Sequence, residues 1–160
     1  MDGPADGRAT SVPRALGHLR VVLDDAYVRA SRDLGLTAQQ AELLCAALTP
    51  TAVGDLATIL RCDRSNVSRL VDRAAARDLL LRRGTQADGR MTMIELTPNG
   101  RRLAEGFIER LEALTQSLVG RWTDERRRLA AEVITEIADA LEAANPPLSE
   151  RRRSPRCSSG

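Results

Sequence analysis

The sequence of 160 residues contains no lysine, and it has only one tryptophan, one tyrosine and one phenylalanine. Proteins that read single-stranded nucleic acid stack bases on aromatic side chains, so this composition argues against that class. The longest uncharged stretch, residues 43–54, has 12 residues, whereas a membrane-spanning helix needs about 20 apolar residues. The N-terminal residues also lack the apolar segment of a secretory signal. We therefore expect a cytoplasmic protein with no membrane partner.

Cysteine and histidine are also scarce. Cys45, Cys62 and Cys157 are widely spaced, and His18 is the single histidine. This set offers neither a C-x-x-C pair nor paired histidines for a metal site, and an odd number of cysteines argues against a disulfide framework. The sequence also has no G-x-G phosphate loop and no second histidine to activate a nucleophile. We predict a protein that is not an enzyme and that uses no metal or cofactor.

Arginine supplies all 24 basic residues, and its distribution along the chain is uneven. Residues 61–90 hold 8 arginines against 4 acidic residues, whereas residues 1–60 hold 5 against 7. Guanidinium groups suit bidentate contacts with phosphate and guanine, so the basic segment favours a nucleic-acid partner. An arginine bias of the whole genome would explain the missing lysine equally well. The position of the charge is therefore more informative than its type.

The N-terminal part of the chain has apolar residues spaced three and four apart, which predicts amphipathic helices. The first helix covers residues 14–34 and ends at Gly35. The second begins at Thr37, whose spacing to Gln40 fits a capping box. It is stopped by Pro50, which cannot continue a helix.

A short helix over residues 53–60 and a longer one over residues 64–77 meet at a tight turn, with Asp63 as the predicted N-cap of the longer one. In the short helix we expect three buried side chains: Leu56, Ile59 and Leu60. The longer helix has five apolar positions on one core face: Val67, Leu70, Val71, Ala74 and Ala75. This second helix therefore has one buried side and one side that is free to face solvent or a partner.

The opposite face of the longer helix is short, polar and basic in its N-terminal half. At 100° per residue this face presents Ser65, Arg69, Asp72, Arg73 and Ala76, with Asn66 and Ser68 on its flanks. Small hydroxyl and amide groups allow close approach to a DNA major groove, and arginine reaches guanine edges or phosphates. Read in isolation, the same segment would be taken as an ordinary solvated helix face.

The remaining sequence predicts a hairpin followed by two long helices. Residues 79–83 and 91–96 have the pattern of two strands joined by a polar segment. Thr97 as N-cap and Pro98 as the first helical residue begin a helix with an apolar stripe, and a last helix starts at Thr123. The segment that follows, rich in arginine and serine, buries too little apolar surface to fold.

The order of these elements is that of a winged helix-turn-helix flanked by long helices, and four short motifs support this interpretation. They are CDRSNVSRLVDR at residues 62–73, LLLRR at 79–83, DGR at 88–90 and LTPNG at 96–100. Their succession is far more specific than any one of them. Together they resemble the multiple-antibiotic-resistance regulator (MarR) family over residues 16–144.

The resemblance implies a mainly α fold with a small β-hairpin wing. It also implies a homodimeric transcriptional regulator, expected to be a repressor, that binds a pseudo-palindromic operator in double-stranded DNA. The expected organisation has five parts: a disordered tail at 1–13, dimerisation helices at 14–36 and 98–145, a winged helix-turn-helix at 37–97 and a disordered basic tail at 146–160. The apolar stripes of the outer helices fit dimerisation, although a self-contained helical bundle would also bury them.

The resemblance also implies which residues contact DNA. By position they are Arg64, Ser65, Asn66, Ser68, Arg69 and Arg73 on the recognition helix, with Asp88 and Arg90 at the wing. Arg90 would enter a narrow minor groove, oriented by Asp88. Family members often bind small aromatic or anionic effectors, and Tyr27 could line such a crevice or belong simply to the core. Asp78 stands where the family often has glycine, so the resemblance does not fix the turn between helix and wing.

Two alternatives follow from the same residues. In the first, the protein is a thiol-based redox-sensing regulator, because Cys62 lies at the N-terminal end of the recognition helix, whose dipole lowers a thiol pKa; the neighbouring Asp63 opposes this effect. In the second, the chain is a helical protein-interaction module without DNA binding. That alternative does not explain the excess positive charge of residues 61–90.

Overall fold

A computed structural model describes residues 11–84 and 92–144 of the chain. These residues form six α-helices and three short strands. In chain order they are α1 (Val12–Arg32), α2 (Ala38–Ala46), β1 (Thr51–Ala52), α3 (Val53–Ile59), α4 (Arg64–Ala75), β2 (Leu80–Gly84), β3 (Thr92–Leu96), α5 (Pro98–Val119) and α6 (Asp124–Ala144). The mainly helical fold with a β-hairpin that the sequence predicts is confirmed.

The helix starts follow local sequence signals closely. The Thr37 hydroxyl accepts a hydrogen bond from the Gln40 backbone N–H, and the Gln40 side chain accepts one from the Thr37 N–H, so the predicted capping box is present. Helix α1 begins at Val12, two residues earlier than predicted, because a proline such as Pro13 is tolerated in the first turn. Asp63 occupies the N-cap position of α4 as predicted, but its exposed carboxylate makes no capping hydrogen bond.

The three strands form one antiparallel sheet in the order β1-β3-β2. Leu80 pairs with Leu96 at the open end of the hairpin, and Gly84 pairs with Thr92 where the two strands lead into residues 85–91. The two-residue β1 joins through Thr51, opposite Ile94. The sequence did not predict β1 because two residues are too few to show an alternating pattern.

The core lies between α2, α3, α4, the base of the hairpin and the first half of α5. Its largest fully buried apolar side chains are Leu43, Leu44, Leu56, Val67, Val71, Leu79, Leu80, Ile94 and Phe107. One prediction about this core is wrong, because Ile59 is 56% exposed. Val53, Leu56 and Ala57 face the core, and Ile59 falls beside that face at the end of the short helix.

The turn between α4 and β2 places Asp78 in the left-handed region, with φ of 55°. Leu79 N–H donates to the Ala74 carbonyl at 3.1 Å and Asp78 N–H donates to the Ala75 carbonyl at 2.9 Å, which together make a Schellman motif. Glycine is the usual residue at the left-handed position of this motif. The turn therefore keeps the geometry that glycine would favour, although aspartate occupies it.

This conformation carries a cost that substitution can remove. We expect Asp78→Gly to raise the free energy of unfolding by roughly 0.5–1 kcal/mol, because glycine adopts positive φ without a steric penalty. The measurement is urea unfolding at one protein concentration. Asp33→Gly is the matched control, since Asp33 ends α1 with a right-handed φ of −62° and should gain nothing. Equal effects of the two changes would show that Asp78 is not strained.

Two further kinds of feature are absent from the described ranges. None of the helices in 11–84 and 92–144 is long and apolar enough to cross a membrane. The same residues contain no group of three or more His, Cys, Asp or Glu side chains arranged to hold a metal ion.

Candidate nucleic-acid interface

Helix α4 places six of the eight predicted DNA-contacting residues on one exposed side. Its apolar positions Val67, Leu70, Val71 and Ala74 are buried against the core, so the opposite side faces outward. On that side five residues are exposed: Arg64, Ser65, Asn66, Arg69 and Arg73. The sixth, Ser68, is half-buried. Periodicity thus predicts correctly which side of this helix packs.

The arginines of this face have no competing partners among the described residues. Within residues 11–84 and 92–144, Arg64, Arg69 and Arg73 form neither an ion pair nor a side-chain hydrogen bond. By contrast, Arg77 at the next turn donates to the Gln40 side chain at 3.0 Å and to the Gly35 carbonyl at 2.9 Å. Arg77 braces the end of α4, whereas the other three guanidinium groups can reach an external acceptor.

An ion pair that the sequence did not predict joins α4 to the hairpin. Arg82 Nη2 on β2 lies 2.6 Å from Asp72 Oδ1, and it also approaches the Ser68 carbonyl at 3.4 Å. Alternation along β2 points Arg82 toward α4 and the adjacent Arg83 to the other face, where Arg83 Nε pairs with Glu95 Oε2 at 2.7 Å. Only the folded hairpin brings Arg82 and Asp72 together, so the sequence carried no signal for this contact.

The two remaining predicted residues are those that the family resemblance assigns to the wing. Asp88 and Arg90 fall within residues 85–91, which lie outside the described residues. The strands on either side run antiparallel from β2 to β3, so the chain does make a hairpin connection at this point. The role assigned to Arg90 and Asp88 remains a prediction.

A crevice of about 490 Å³ lies on another side of the winged region, and Tyr27 forms part of its lining. The Tyr27 and Phe107 rings meet edge to face, with centroids 5.5 Å apart. Glu42 and Arg61 are the charged residues in this largely apolar lining. Burial, and secondarily the charge of Asp24, raises the pKa of the Glu42 carboxyl. Its lining includes residues of α1, α2, α5 and the turn that precedes α4, so the crevice lies where these elements meet.

The described thiols lie near this region but have environments that disfavour the thiolate. Cys45 and Cys62 are half-buried against the core. Burial raises the pKa of both thiols, and a nearby carboxylate adds to the effect, Glu42 for Cys45 and Asp63 for Cys62. Because the thiolate is the reactive form, this setting opposes thiol-based sensing. Cys157 lies outside the described residues.

We expect both thiols to react slowly at neutral pH. In a Cys157→Ser variant, iodoacetamide should alkylate Cys45 and Cys62 more slowly than it alkylates the same residues after unfolding in urea. The physical reason is that a raised pKa lowers the thiolate fraction at pH 7. The rates can be read by mass spectrometry of the labelled peptides. A Cys62 that reacts faster in the folded protein would support the redox-sensing alternative.

Comparisons with known proteins place this geometry in context. No protein-family model matches the sequence, and no curated protein matches it. Among solved structures, the chain is similar to the S. aureus MepR–DNA complex, with a TM-score of 0.70 and 19% identity over 81% of this chain and 98% of MepR. The chain is also similar to a mutant of MarR from E. coli complexed with operator DNA, with a TM-score of 0.67 and 18% identity over 84% of this chain and 99% of the MarR chain.

A third neighbour is somewhat more similar in sequence. BpsR from Bordetella bronchiseptica, whose DNA binding is regulated by 6-hydroxynicotinic acid, has a TM-score of 0.66 and 27% identity over 86% of this chain and 99% of BpsR. Each likeness spans nearly the whole neighbour and more than four fifths of this chain. This chain has the winged-helix fold of the MarR family of transcriptional regulators.

Proposed function

We propose that this protein is a MarR family regulator that binds double-stranded DNA sequence-specifically as a homodimer and represses transcription. The observation that carries the proposal is the exposed side of α4, with three arginines that make no ion pair within the described residues. On a winged-helix fold, this side is the one that can enter a major groove. Solved neighbours with the same fold include complexes with DNA.

Base reading is assigned to the middle of this face. Ser65 and Asn66 are short and exposed, so the helix can approach the base edges closely. Arg69 lies about one turn after them on the same exposed side, and its guanidinium can make a bidentate contact with guanine O6 and N7. Arg73, one turn further on, has reach and charge for a phosphate or a second base.

The wing supplies the second DNA contact. Residues 85–91 connect β2 and β3 at the free end of the hairpin, and Arg90 is proposed to enter the adjacent minor groove, oriented by Asp88. The negative potential of a narrow minor groove favours an arginine there. Arg90→Ala should weaken DNA binding and lower the salt slope of binding by about one, with unchanged folding.

Dimerisation is proposed from the apolar surface that one chain leaves open. Helix α6 has no buried residue, and α1 and α5 also expose large apolar side chains. The exposed apolar residues of these helices include Val21, Val22, Leu23, Leu118, Leu129, Val133 and Ile134. Apolar surface of this extent indicates a protein interface, and a symmetric dimer would present two α4 helices to half-sites about 10 bp apart.

An effector site is proposed in the crevice lined by Tyr27. The crevice combines aromatic rings with Arg61, whose guanidinium also forms an exposed ion pair with Glu142 at 2.6 Å that an anionic group can replace. This lining suits a small aromatic or anionic molecule. Because Arg61 belongs to the turn before α4, a ligand there could shift α4 and release DNA. For BpsR the regulating molecule is 6-hydroxynicotinic acid, which makes that compound a first probe in a thermal-shift titration of wild type against Tyr27→Ala.

Filter binding to random duplex DNA at low salt tests the DNA-binding proposal. The wild type should retain duplex DNA, and an Arg69→Gln, Arg73→Gln double variant should bind it clearly more weakly, because two exposed charges leave the α4 face. Sedimentation should show twice the mass of the chain. A wild type that fails to retain DNA would support the interaction-module alternative, and a monomer at micromolar concentration would contradict the dimer.

A further inference from the structure

We infer that Arg82 and Arg64 form a clamp for one backbone phosphate of duplex DNA, in a polar notch between α4 and the hairpin. This inference rests on the proposed DNA-binding function and assigns a sequence-independent contact within it. Arg82 has no part in the recognition-helix or wing-tip set.

The notch has the size and chemistry of a phosphate site. It encloses about 160 Å³ and is lined by Arg64, Ser68, Arg82, Thr92 and residues 52–54. Among residues 11–84 and 92–144, no acidic residue belongs to this lining, and two guanidinium groups face the notch, that of Arg82 being paired with Asp72 outside it. The Ser68 and Thr92 hydroxyls make no side-chain hydrogen bond in the part of the chain that the structure describes. Arginine pairs and free hydroxyls are the usual donors to a phosphate.

The position of the notch points to DNA backbone rather than to a base. If α4 occupies a major groove and the hairpin tip enters the adjacent minor groove, one sugar–phosphate strand must pass between the two elements, because such a strand separates every pair of neighbouring grooves. The notch lies between those elements, with Arg64 on the flank of α4 and Arg82 on β2. A phosphate of that strand is therefore the group within reach.

Asp72 is the competitor of this phosphate. Its carboxylate holds Arg82 at 2.6 Å and stays largely exposed, as does much of Arg82 itself. An exposed ion pair of this kind is worth little in water, so a phosphate can replace or share the contact. Removing the Asp72 charge should therefore strengthen DNA binding through Arg82.

Arg83 provides a matched control. It is the next residue of the same strand, has the same charge, and pairs with Glu95 on the opposite face of the sheet, away from the notch. Long-range attraction to DNA changes equally when either arginine is replaced by glutamine. A difference between Arg82→Gln and Arg83→Gln therefore reports a local contact.

The experiment measures the binding of full-length variants to a random-sequence duplex across a range of salt concentrations. We expect Arg82→Gln to bind roughly tenfold more weakly and to lower the salt slope by about one, with Arg64→Gln behaving alike and Arg83→Gln within about twofold of wild type. The ratio of operator to random-duplex affinity should stay constant, because phosphate contacts carry no sequence information. Thermal unfolding of each variant checks that it is folded. If Arg82→Gln does not fold, the binding of Arg64→Gln tests the clamp instead.

The Asp72→Asn background distinguishes two possible causes of weaker binding by Arg82→Gln. One is the loss of a phosphate contact, and the other is repulsion of DNA by the Asp72 carboxylate after its partner is removed. We expect Asp72→Asn alone to bind duplex DNA more tightly, and Arg82→Gln to weaken binding at least as much when added to it as it does in the wild type. Equal losses for Arg82→Gln and Arg83→Gln, or no loss in the Asp72→Asn background, would overturn the clamp while leaving DNA binding intact. A wild type that binds no duplex would instead overturn the proposed function, and the clamp with it.

Discussion

We expect Gly100→Ala to lower the free energy of unfolding by at least about 3 kcal/mol, a change large enough to unfold a protein of ordinary stability in part. A Cβ atom at this position would lie 1.8 Å from the Leu79 carbonyl oxygen, which is a backbone atom and cannot rotate away. That oxygen also accepts a hydrogen bond from Thr97 N–H at 3.1 Å. The methyl group would therefore force α5 away from the turn that starts the hairpin.

The same junction contains two further hydrogen bonds that the displacement would stretch. The Thr97 hydroxyl donates to the Asp78 carbonyl at 2.7 Å and accepts from Gly100 N–H at 3.0 Å. Urea unfolding followed by circular dichroism measures the loss. Gly54→Ala is the control, because nothing lies within 4 Å of its Cβ position and its stability should be unchanged or slightly higher. Equal stability of the two variants would mean that α5 does not approach Leu79 this closely.

The second large effect concerns specificity. We expect Arg69→Ala to weaken binding to the preferred operator by roughly 1–3 kcal/mol and to relax the preference at one base pair in each half-site, as loss of a bidentate guanine contact does. Arg69 is exposed on the outer side of α4 and has no side-chain partner within residues 11–84 and 92–144. Its removal should therefore leave folding unchanged.

Titration of a set of operators, each with one base pair changed, measures this preference. Arg110→Ala is the control, since Arg110 lies on α5 and donates to the Gly106 carbonyl of its own helix. If Arg69→Ala lowered the affinity for every operator by the same factor, Arg69 would contact phosphate, and base reading would belong to Ser65, Asn66 or Ser68.

The features predictable from sequence are those set by neighbours in the chain. Thr37 with Gln40, and Thr97 with Pro98, mark helix starts because their capping partners lie within one turn. The buried face of α4 is equally local, because a period of 3.6 residues decides which side packs. These signals suffice for the order of the helices and the hairpin and for the exposed side of α4, but not for the two-residue β1.

The features missed by the sequence depend on contacts between distant segments. The Arg82–Asp72 pair and the brace from Arg77 to Gln40 form only after the hairpin and α2 have packed on α4. Ile59 satisfies the spacing of a buried residue, yet the core does not extend to it. At the level of one residue, tertiary packing overrides periodicity.

Selection of duplexes from a random pool by the full-length protein, followed by sequencing, tests sequence-specific binding by a dimer most directly. The account predicts enrichment of one motif with two inverted half-sites whose centres are about 10 bp apart. Arg69→Ala should yield the same spacing with one base position less defined in each half-site. A pool without any enriched motif, or a motif with a single half-site, would contradict the account.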